Sequence, residues 1–245
     1  MSLSTREADS LAIAPQRELT MHGERTVRTS IPTLDAFFGG LRPGSMTLLD
    51  SSDRMLFDLT HILCVNGVST LGQDVVWVDG GNSVNPYELG RICRRFGLDR
   101  TEVLDSISVA RAFTAYQLVS LIDERLEEEV RRTGAGMVIV SCLPDMFQDK
   151  EMRWSESYQL IRRCVERLRD LSHDRGVATL ITNYGLMKIL QRKSLKNLLY
   201  GMADDIVRIE NASRCLRITL PNRQETMYYH AVPHNQTTLE EFLRR

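Results

Sequence analysis

The stretch RTSIPTLDAFFGGLRPGSMTLL, residues 28–49, decides the fold class of this chain. It contains a Gly39-Gly40 turn and a Pro43-Gly44 turn before a short apolar run, an order that is typical of a helix-to-strand lead-in. Further along the chain, apolar runs of strand length alternate with amphipathic helical patterns. This alternation predicts an α/β fold with a mostly parallel sheet that is covered by helices on both faces.

Eight segments are predicted to be strands: Ser45–Leu49, Asp74–Val78, Ile107–Val109, Met137–Ser141, Ala178–Asn183, Asp205–Glu210, Cys215–Leu220 and Thr226–Ala231. Short polar turns separate the last three, which predicts a C-terminal antiparallel meander. Helices are predicted at Asp58–Val68, Pro86–Phe96, Ala115–Arg132 and Ser155–Asp174. The domain prediction is an N-terminal arm or linker over residues 1–26 and one core domain over residues 27–245.

Composition limits the partners and the cofactors of the chain. With 245 residues, 42% of them hydrophobic, the chain can bury one large core without staples. A net charge of −1 provides no overall attraction to nucleic acid or membrane, so such binding would need a local basic patch. The five cysteines lack Cys-x-x-Cys spacing, which predicts reduced thiols and no metal site. The first 26 residues lack the apolar run of a signal peptide, which favours a cytoplasmic location.

The lead-in resembles the RecA/RadA superfamily of strand-exchange ATPases, in particular the archaeal RadA and eukaryotic recombinase-paralog branch. The resemblance continues without a gap into the helical pattern of residues 59–66 and covers roughly Leu11 to Ala231. Three further segments are characteristic of that branch: Phe96-Gly97-Leu98, Ala110-Arg111-Ala112-Phe113 and the stretch 203–210. The resemblance implies a RecA-like P-loop NTPase fold.

The resemblance also implies a phosphate-binding loop after the first strand. Such a loop needs glycines, a lysine and a Ser or Thr that binds Mg²⁺. In the family's register, Asp50 and Met55 replace two loop glycines, Leu56 replaces the lysine, and Phe57 replaces the magnesium-binding Thr. The whole degenerate loop is Asp50, Ser51, Ser52, Asp53, Arg54, Met55, Leu56 and Phe57. A carboxylate repels phosphate, and leucine and phenylalanine supply no donor or ligand, so tight binding of Mg-nucleotide is not expected.

Three other positions of the same machinery differ from the family. The Glu that polarises the attacking water is Gly81, the Asp that holds the magnesium water shell is Ser141, and the Gln that senses nucleotide state is Tyr184. Asp79 keeps its family identity and is predicted to cap the end of a strand. The resemblance with these replacements therefore predicts no catalytic residue, no metal ligand, and neither ATP nor Mg²⁺ as a cofactor.

The N-terminal arm carries a candidate oligomerisation motif. Aligned backwards from Leu34-Asp35, Leu11 and Ala14 fall on the family's Phe-x-x-Ala motif, which adds an edge strand to a neighbouring core and fills two small pockets. Leu11-Ala12-Ile13-Ala14 has the period-two apolar pattern that such a strand needs. An ordinary flexible tail is the alternative interpretation.

Two segments correspond to the family's DNA-binding loops. The first offers Lys150, Arg153 and Trp154, a tryptophan that could stack on a base. The second, residues 185–202, holds Lys188, Arg192, Lys193 and Lys196 without a single acidic residue, as a phosphate-contacting segment would. A solvated helical face is the alternative for the second segment, because apolar residues are interspersed among its bases.

The favoured hypothesis is a RadA-like paralog without ATP hydrolysis that acts as an accessory protein or mediator in homologous recombination and DNA repair. Its predicted partners are a RadA-type recombinase or another paralog, together with single-stranded DNA, in a homo- or hetero-oligomer and with no membrane partner. One alternative is an active ATPase in which Arg54 or a neighbour's basic residue replaces the missing lysine. A second alternative is a KaiC-like signalling or scaffold protein with no DNA role.

Overall fold

The sheet contains eight strands within the residues that the computed structural model describes, 25–148, 152–185, 193–213 and 215–230. The strand order is β3-β2-β4-β5-β1-β6-β7-β8. The strands are β1 (Met46–Ser51), β2 (Val75–Asp79), β3 (Ile107–Arg111), β4 (Met137–Ser141), β5 (Ala178–Tyr184), β6 (Asp205–Ala212), β7 (Cys215–Leu220) and β8 (Glu225–Tyr229).

The first six strands are parallel, and β7 and β8 are antiparallel to their neighbours. The carboxyl ends of β1, β2, β4 and β5 therefore meet at one edge of the sheet, where ligands bind in open α/β sheets. This arrangement confirms the predicted α/β class, the mostly parallel sheet and the C-terminal antiparallel meander.

Helices cover both faces of the sheet. They are α1 (Pro32–Phe38), α2 (Met55–Leu71), α3 (Pro86–Phe96), α4 (Arg100–Asp105), α5 (Ala115–Ser120), α6 (Leu126–Thr133), α7 (Trp154–Arg175) and α8 (Lys193–Met202). A π-helical turn, Leu121–Arg125, joins α5 to α6. A 3₁₀ turn, Pro144–Phe147, follows β4. Within the described residues, no helix has the length and apolar character needed to cross a membrane.

Each face of the sheet has its own hydrophobic core. Helices α1 to α4 pack on one face, and α5 to α8 pack on the other. Helix α2 is buried around most of its circumference, because it lies between the sheet and helices α3 and α4. Its first turn is part of this core, since the Leu56 side chain has 0% exposure.

Strand positions follow the sequence predictions closely, with ends that shift by one or two residues. The largest difference at a predicted helix start is in α2, which begins at Met55 rather than at Asp58. The phosphate-loop pattern led us to expect a loop there, whereas Asp53 binds the first amide of the helix and extends it by three residues. Helices α1, α4 and α8 lie outside the four predicted helix ranges, although the lead-in pattern indicated a helix before β1.

Candidate functional site

The residues predicted for a nucleotide site do come together at the carboxyl edge of the parallel strands. Asp50 and Ser51 end β1, Asp79 ends β2, and Ser141 ends β4. Tyr184 ends β5, the strand between β4 and β1. The structure therefore places the four altered motifs around one site, at the edge where the resemblance puts the nucleotide.

The loop after β1 satisfies its own polar groups. The Ser51 hydroxyl accepts a hydrogen bond from Asp53 N–H at 2.9 Å, and Asp53 Oδ1 accepts one from Met55 N–H at 2.8 Å. The amides of Leu56 and Phe57 donate to the carbonyl oxygens three residues earlier, at 3.2 and 3.0 Å. A helix N-terminus binds anions through free N–H groups. In α2 the loop itself uses the first three of these amides.

Asp50 is a fully buried carboxylate at the mouth of β1. Its Oδ1 accepts from Asn183 Nδ2 at 2.7 Å, and its Oδ2 accepts from the Tyr200 hydroxyl on α8 at 2.9 Å. Burial raises the pKa of Asp50 to about 6, against the lowering effect of these two hydrogen bonds and of Arg208 on β6. A negative group therefore stands at this position at neutral pH.

A second carboxylate, Asp145, lies in the 3₁₀ turn after β4. Its Oδ2 accepts a hydrogen bond from Tyr184 N–H at 2.9 Å, and its Oδ1 accepts from Gln148 at 2.9 Å. Burial, together with the charge of Asp50, raises the pKa of Asp145 to about 6, against the lowering effect of these two hydrogen bonds. The Tyr184 ring packs against Phe57, with 4.9 Å between ring centroids. An aromatic pair thus occupies the two positions that the sequence resemblance assigns to a nucleotide-sensing Gln and a magnesium-binding Thr.

Asp79 confirms the prediction of a strand-end cap. Its carboxylate is fully buried and accepts hydrogen bonds that order the loop after β2. Burial alone raises the pKa of Asp79, but the bonds from Ser83, Ser141 and Val84 together hold it below its usual value. Six donors lie within 3.3 Å: the N–H groups of Gly81, Ser83 and Val84, the hydroxyls of Ser83 and Ser141, and Arg111 Nε.

Ser141 belongs to the same closed network. Its hydroxyl donates to Asp79 at 2.9 Å and accepts from the Trp77 indole N–H at 3.0 Å. The Trp77 ring lies 5.2 Å from the imidazole of His61, whose Nε2 accepts a hydrogen bond from Asn85 N–H at 3.0 Å. At the end of β4 a neutral hydroxyl thus bonds to protein groups. Within the described ranges, no three His, Cys, Asp or Glu side chains are grouped to hold a metal ion.

Gly81, at the position of the family's catalytic Glu, has no space for a side chain. A Cβ built there would lie 2.5 Å from Cys142 Sγ and 2.9 Å from Cys142 Cβ. Cys142 is itself in the left-handed region, with φ of 54°. Real Cβ atoms do not approach neighbours this closely, so any other residue at position 81 requires Cys142 to move.

The predicted DNA-contacting and oligomerisation residues divide between described and undescribed parts of the chain. Lys193 and Lys196 lie on α8, where Lys196 Nζ is 5.2 Å from the centroid of the Tyr200 ring. Arg153 is exposed at the start of α7, and Trp154 packs against Tyr158 with 6.0 Å between ring centroids. Lys150, Lys188, Arg192, Leu11 and Ala14 lie outside the described residues.

Sequence reasoning missed the residues that hold the altered site together. Asn183 lies at the end of a predicted strand, and Ser83 lies in the loop after β2, but neither had a predicted role. Tyr200 falls in the basic segment 185–202, where only the basic residues had a predicted role. Asp145 had no pattern to mark it, since its position follows from the 3₁₀ turn after β4.

In a comparison with protein-family models, the Rad51 model matches residues 25–194. This range covers more than half of the chain and includes β1 to β5 with the site residues from Asp50 to Tyr184. The chain belongs to the Rad51 family. Membership confirms the RecA/RadA superfamily assignment that the sequence resemblance suggested.

Individual members of the Rad51 family are similar to this chain at modest identity. The meiotic recombination protein DMC1/LIM15 homolog of Mus musculus is 27% identical over 136 residues, 51% of this chain and 39% of that protein. The DNA repair protein RAD51 of Mycosarcoma maydis is 27% identical over 176 residues, 66% of this chain and 52% of that protein. The match to the mouse protein thus spans less than half of that relative's length.

Proposed function

We propose that this chain is a Rad51-family accessory protein of homologous recombination and DNA repair that works without hydrolysing ATP. It binds a recombinase or another paralog through the surfaces that such proteins use to assemble, and it contacts single-stranded DNA. The relatives named above are a meiotic recombination protein and a DNA repair protein, which supports the general process.

The observation that carries the proposal is the state of the helix N-terminus after β1. A phosphate binds there when backbone N–H groups point at it and positive charge is near. In this chain Asp53 takes the amide of Met55, and the buried carboxylate of Asp50 stands at the end of the strand. A second anion would face two acidic residues and amides that are already bonded, so Mg-nucleotide does not fit this site.

The water-activating and metal-holding positions support the same conclusion. Attack by water on a γ-phosphate needs a positioned acceptor, and Gly81 offers none. The Ser141 hydroxyl is bonded to Asp79 and Trp77, so magnesium binding would break an internal network. Arg54, the alternative phosphate-binding cation, is an exposed residue at the start of α2.

The proposed protein partner would dock at the edge of the sheet that β3 forms. β3 is an edge strand of the described sheet, and Val109 on this strand is 45% exposed. Phe113, just beyond it, is 75% exposed. An exposed strand edge flanked by apolar side chains accepts an extended segment from another protein. This chemistry fits the arm of a recombinase or paralog subunit.

Nucleic-acid contact is supported by a basic groove beside α8. The groove has a volume of about 630 Å³ and lies over the open face of the β6–β8 meander. Three of its side chains are cations, whereas Glu210 is its one acid and already pairs with Arg208 and Arg217 at 2.6 and 2.7 Å. The lining residues are Lys196, Tyr200, Arg208, Glu210, Arg217, Thr219, Pro221, Thr226 and Tyr228. Cations with exposed aromatic rings are the groups that bind single strands.

The decisive experiment is calorimetry of the full chain with ATP and with ADP, each with Mg²⁺, at high protein concentration and moderate salt. We expect no binding heat for either nucleotide. Binding in the micromolar range, with hydrolysis that Arg54→Ala abolishes, would replace the proposal with the rearranged-ATPase alternative.

DNA and partner binding need separate assays. We expect an oligothymidylate to bind in a salt-dependent manner and Lys193→Gln/Lys196→Gln to weaken it. Arg94→Gln/Arg131→Gln, which removes the same charge from exposed positions elsewhere, should bind like the parent. Salt-insensitive or absent DNA binding, together with no effect on the assembly of a recombinase filament, would favour the scaffold alternative.

A further inference from the structure

A buried carboxylate, Asp50, and a half-buried one, Asp145, contact residues that flank the segment 186–192. Asp50 accepts hydrogen bonds from Asn183, near the end of β5, and from Tyr200, on α8. Asp145 accepts one from the backbone of Tyr184. β5 ends just before the segment and α8 begins just after it, so Asp50 binds the chain on both sides of the segment and Asp145 binds it on the β5 side.

The register of the sheet explains how one side chain reaches both flanks. β1 lies between β5 and β6, and Asp50 is the direct neighbour of Asn183 in the β1–β5 pairing. Helix α8 packs on one face of the sheet through Leu195 and Leu199, which are buried in that core. From α8, the Tyr200 hydroxyl donates a hydrogen bond to Asp50 at the carboxyl end of β1.

The contact also determines where a cation stands. The Tyr200 ring lies under the ammonium group of Lys196, one turn earlier on α8, at 5.2 Å. Lys193 precedes Lys196 by three residues, so both lysines lie on the same side of this helix. A hydrogen bond that fixes Tyr200 therefore fixes the direction in which α8 presents its basic groups.

Hydrogen bonds to an ionised acceptor in a buried place are strong, and an unmade one is costly. Asp50 is fully buried, and Asn183 and Tyr200 are the side chains that donate to it. Loss of the Tyr200 hydroxyl would leave a buried charge with one donor fewer. The cost of that loss favours the docked position of α8.

We propose that Asp50 is a positioning residue that holds the flanks of segment 186–192, and with them Lys193 and Lys196, in place without a bound nucleotide. The sequence register puts glycine of the family's phosphate loop at this position, and glycine has no side chain that could do this. The inference rests on the proposed function only in giving the lysines a ligand to meet, because the anchoring itself is a property of the fold.

Hydrogen–deuterium exchange of the full chain tests the anchor. In Tyr200→Phe, which keeps the ring and removes the hydroxyl, we expect the amides of α8 to exchange about tenfold faster or more, with α7 unchanged. Tyr158→Phe, a half-buried tyrosine on α7 that packs on Trp154, is the matched control and should leave α8 at the parent rate. Exchange in α8 of Tyr200→Phe within twofold of the parent would overturn the proposal.

A second measurement needs no variant. Exchange of α8 in the parent should be the same with and without millimolar Mg-ATP, and slower exchange with Mg-ATP would overturn the claim that no nucleotide is needed. The affinity of Tyr200→Phe for oligothymidylate separates the anchor from the proposed function. Faster α8 exchange with no DNA binding by the parent would support the anchor and contradict the DNA role alone. Weaker binding by Tyr200→Phe than by the parent would support both.

Discussion

Asp50 and Asp79 are both fully buried carboxylates at the carboxyl edge of the sheet, yet their pKa values shift in opposite directions. Asp50 ends β1, where two side chains donate to it. Asp79 ends β2. Its carboxylate has six donors within 3.3 Å, most of them in the loop that follows β2. Burial raises the pKa at both sites, and only at Asp79 do the hydrogen bonds outweigh it.

The opposite pKa shifts indicate different roles for the two carboxylates. We call each carboxylate with its hydrogen-bond donors the Asp50 half and the Asp79 half of the site. The Asp79 half is a satisfied structural cap, in which every bond stabilises the loop that follows β2. The Asp50 half retains a cost of ionisation at neutral pH, because two donors do not compensate for lost water. A costly charge that persists in a fold is a candidate for a role other than stability.

Among these variants, Asp79→Ala is expected to lower stability most. Asp79→Ala leaves backbone amides and the Ser141 hydroxyl without their acceptor, so we expect the free energy of unfolding to fall by about 3–5 kcal/mol. Urea denaturation at neutral pH measures this change. A loss below about 1 kcal/mol would show that water replaces the carboxylate and that the cap is not structural.

Asp50 is expected to make the free energy of unfolding depend on pH. Its pKa rises from 3.8 to about 6 on folding, so the folded state holds the proton more tightly than the unfolded chain. The contribution of this group to stability is therefore largest below about pH 4, falls as the pH rises to about 6, and stays low above that. We expect the free energy of unfolding of Asp50→Asn, relative to that of the parent, to rise by about 2–3 kcal/mol between about pH 4 and pH 7.5.

Denaturation curves of both proteins at the two pH values give this difference directly. A parallel pH dependence of parent and Asp50→Asn would mean that Asp50 titrates normally and that the two halves do not differ in this way.

Gly81 tests how tightly the Asp79 half is packed. We expect Gly81→Ala to lower the free energy of unfolding by about 1–3 kcal/mol, since the new methyl group meets Cys142. Gly201→Ala on α8 is the control, because a Cβ there meets nothing within 4 Å and alanine favours helix. Thermal denaturation of the two variants measures this difference. A Gly81→Ala variant as stable as the parent would indicate that Cys142 moves freely.

Arg111 should have the smallest effect. Its Nε lies 3.3 Å from Asp79 Oδ2, but its side chain is 37% exposed, so solvent screens the pair. Arg111→Gln should cost about 1 kcal/mol or less in urea denaturation. A cost as large as that of Asp79→Ala would mean that the arginine, and not the loop amides, holds the carboxylate.

The fold was largely predictable because it depends on patterns that a single sequence contains. Strand-length apolar runs such as Met137–Ser141 specify buried parallel strands, and the polar turns around residue 222 specify the meander. Helix α4 was missed because it is short, and α8 because its basic residues suggested a loop. In α8 the burial of Leu195 and Leu199 decides the matter, and burial depends on tertiary packing.

The candidate site was predictable in its members but not in its connections. The sequence register identifies Asp50, Ser141 and Tyr184 as altered positions, and the structure brings them to one edge. The sequence contains no sign that Asp50 would bond to Tyr200, 150 residues away. Such pairs arise from the strand order and from the docking of a helix, which no local pattern encodes.

The burial of Leu56 limits how a phosphate-binding loop could be engineered into this chain. Its side chain is part of the apolar core, with 0% exposure. A lysine introduced at this position would place an ammonium group among apolar side chains and would lower stability before it could bind a phosphate. Such a loop therefore cannot be introduced one residue at a time, because the loop and the first turn of α2 would have to be replaced and repacked together.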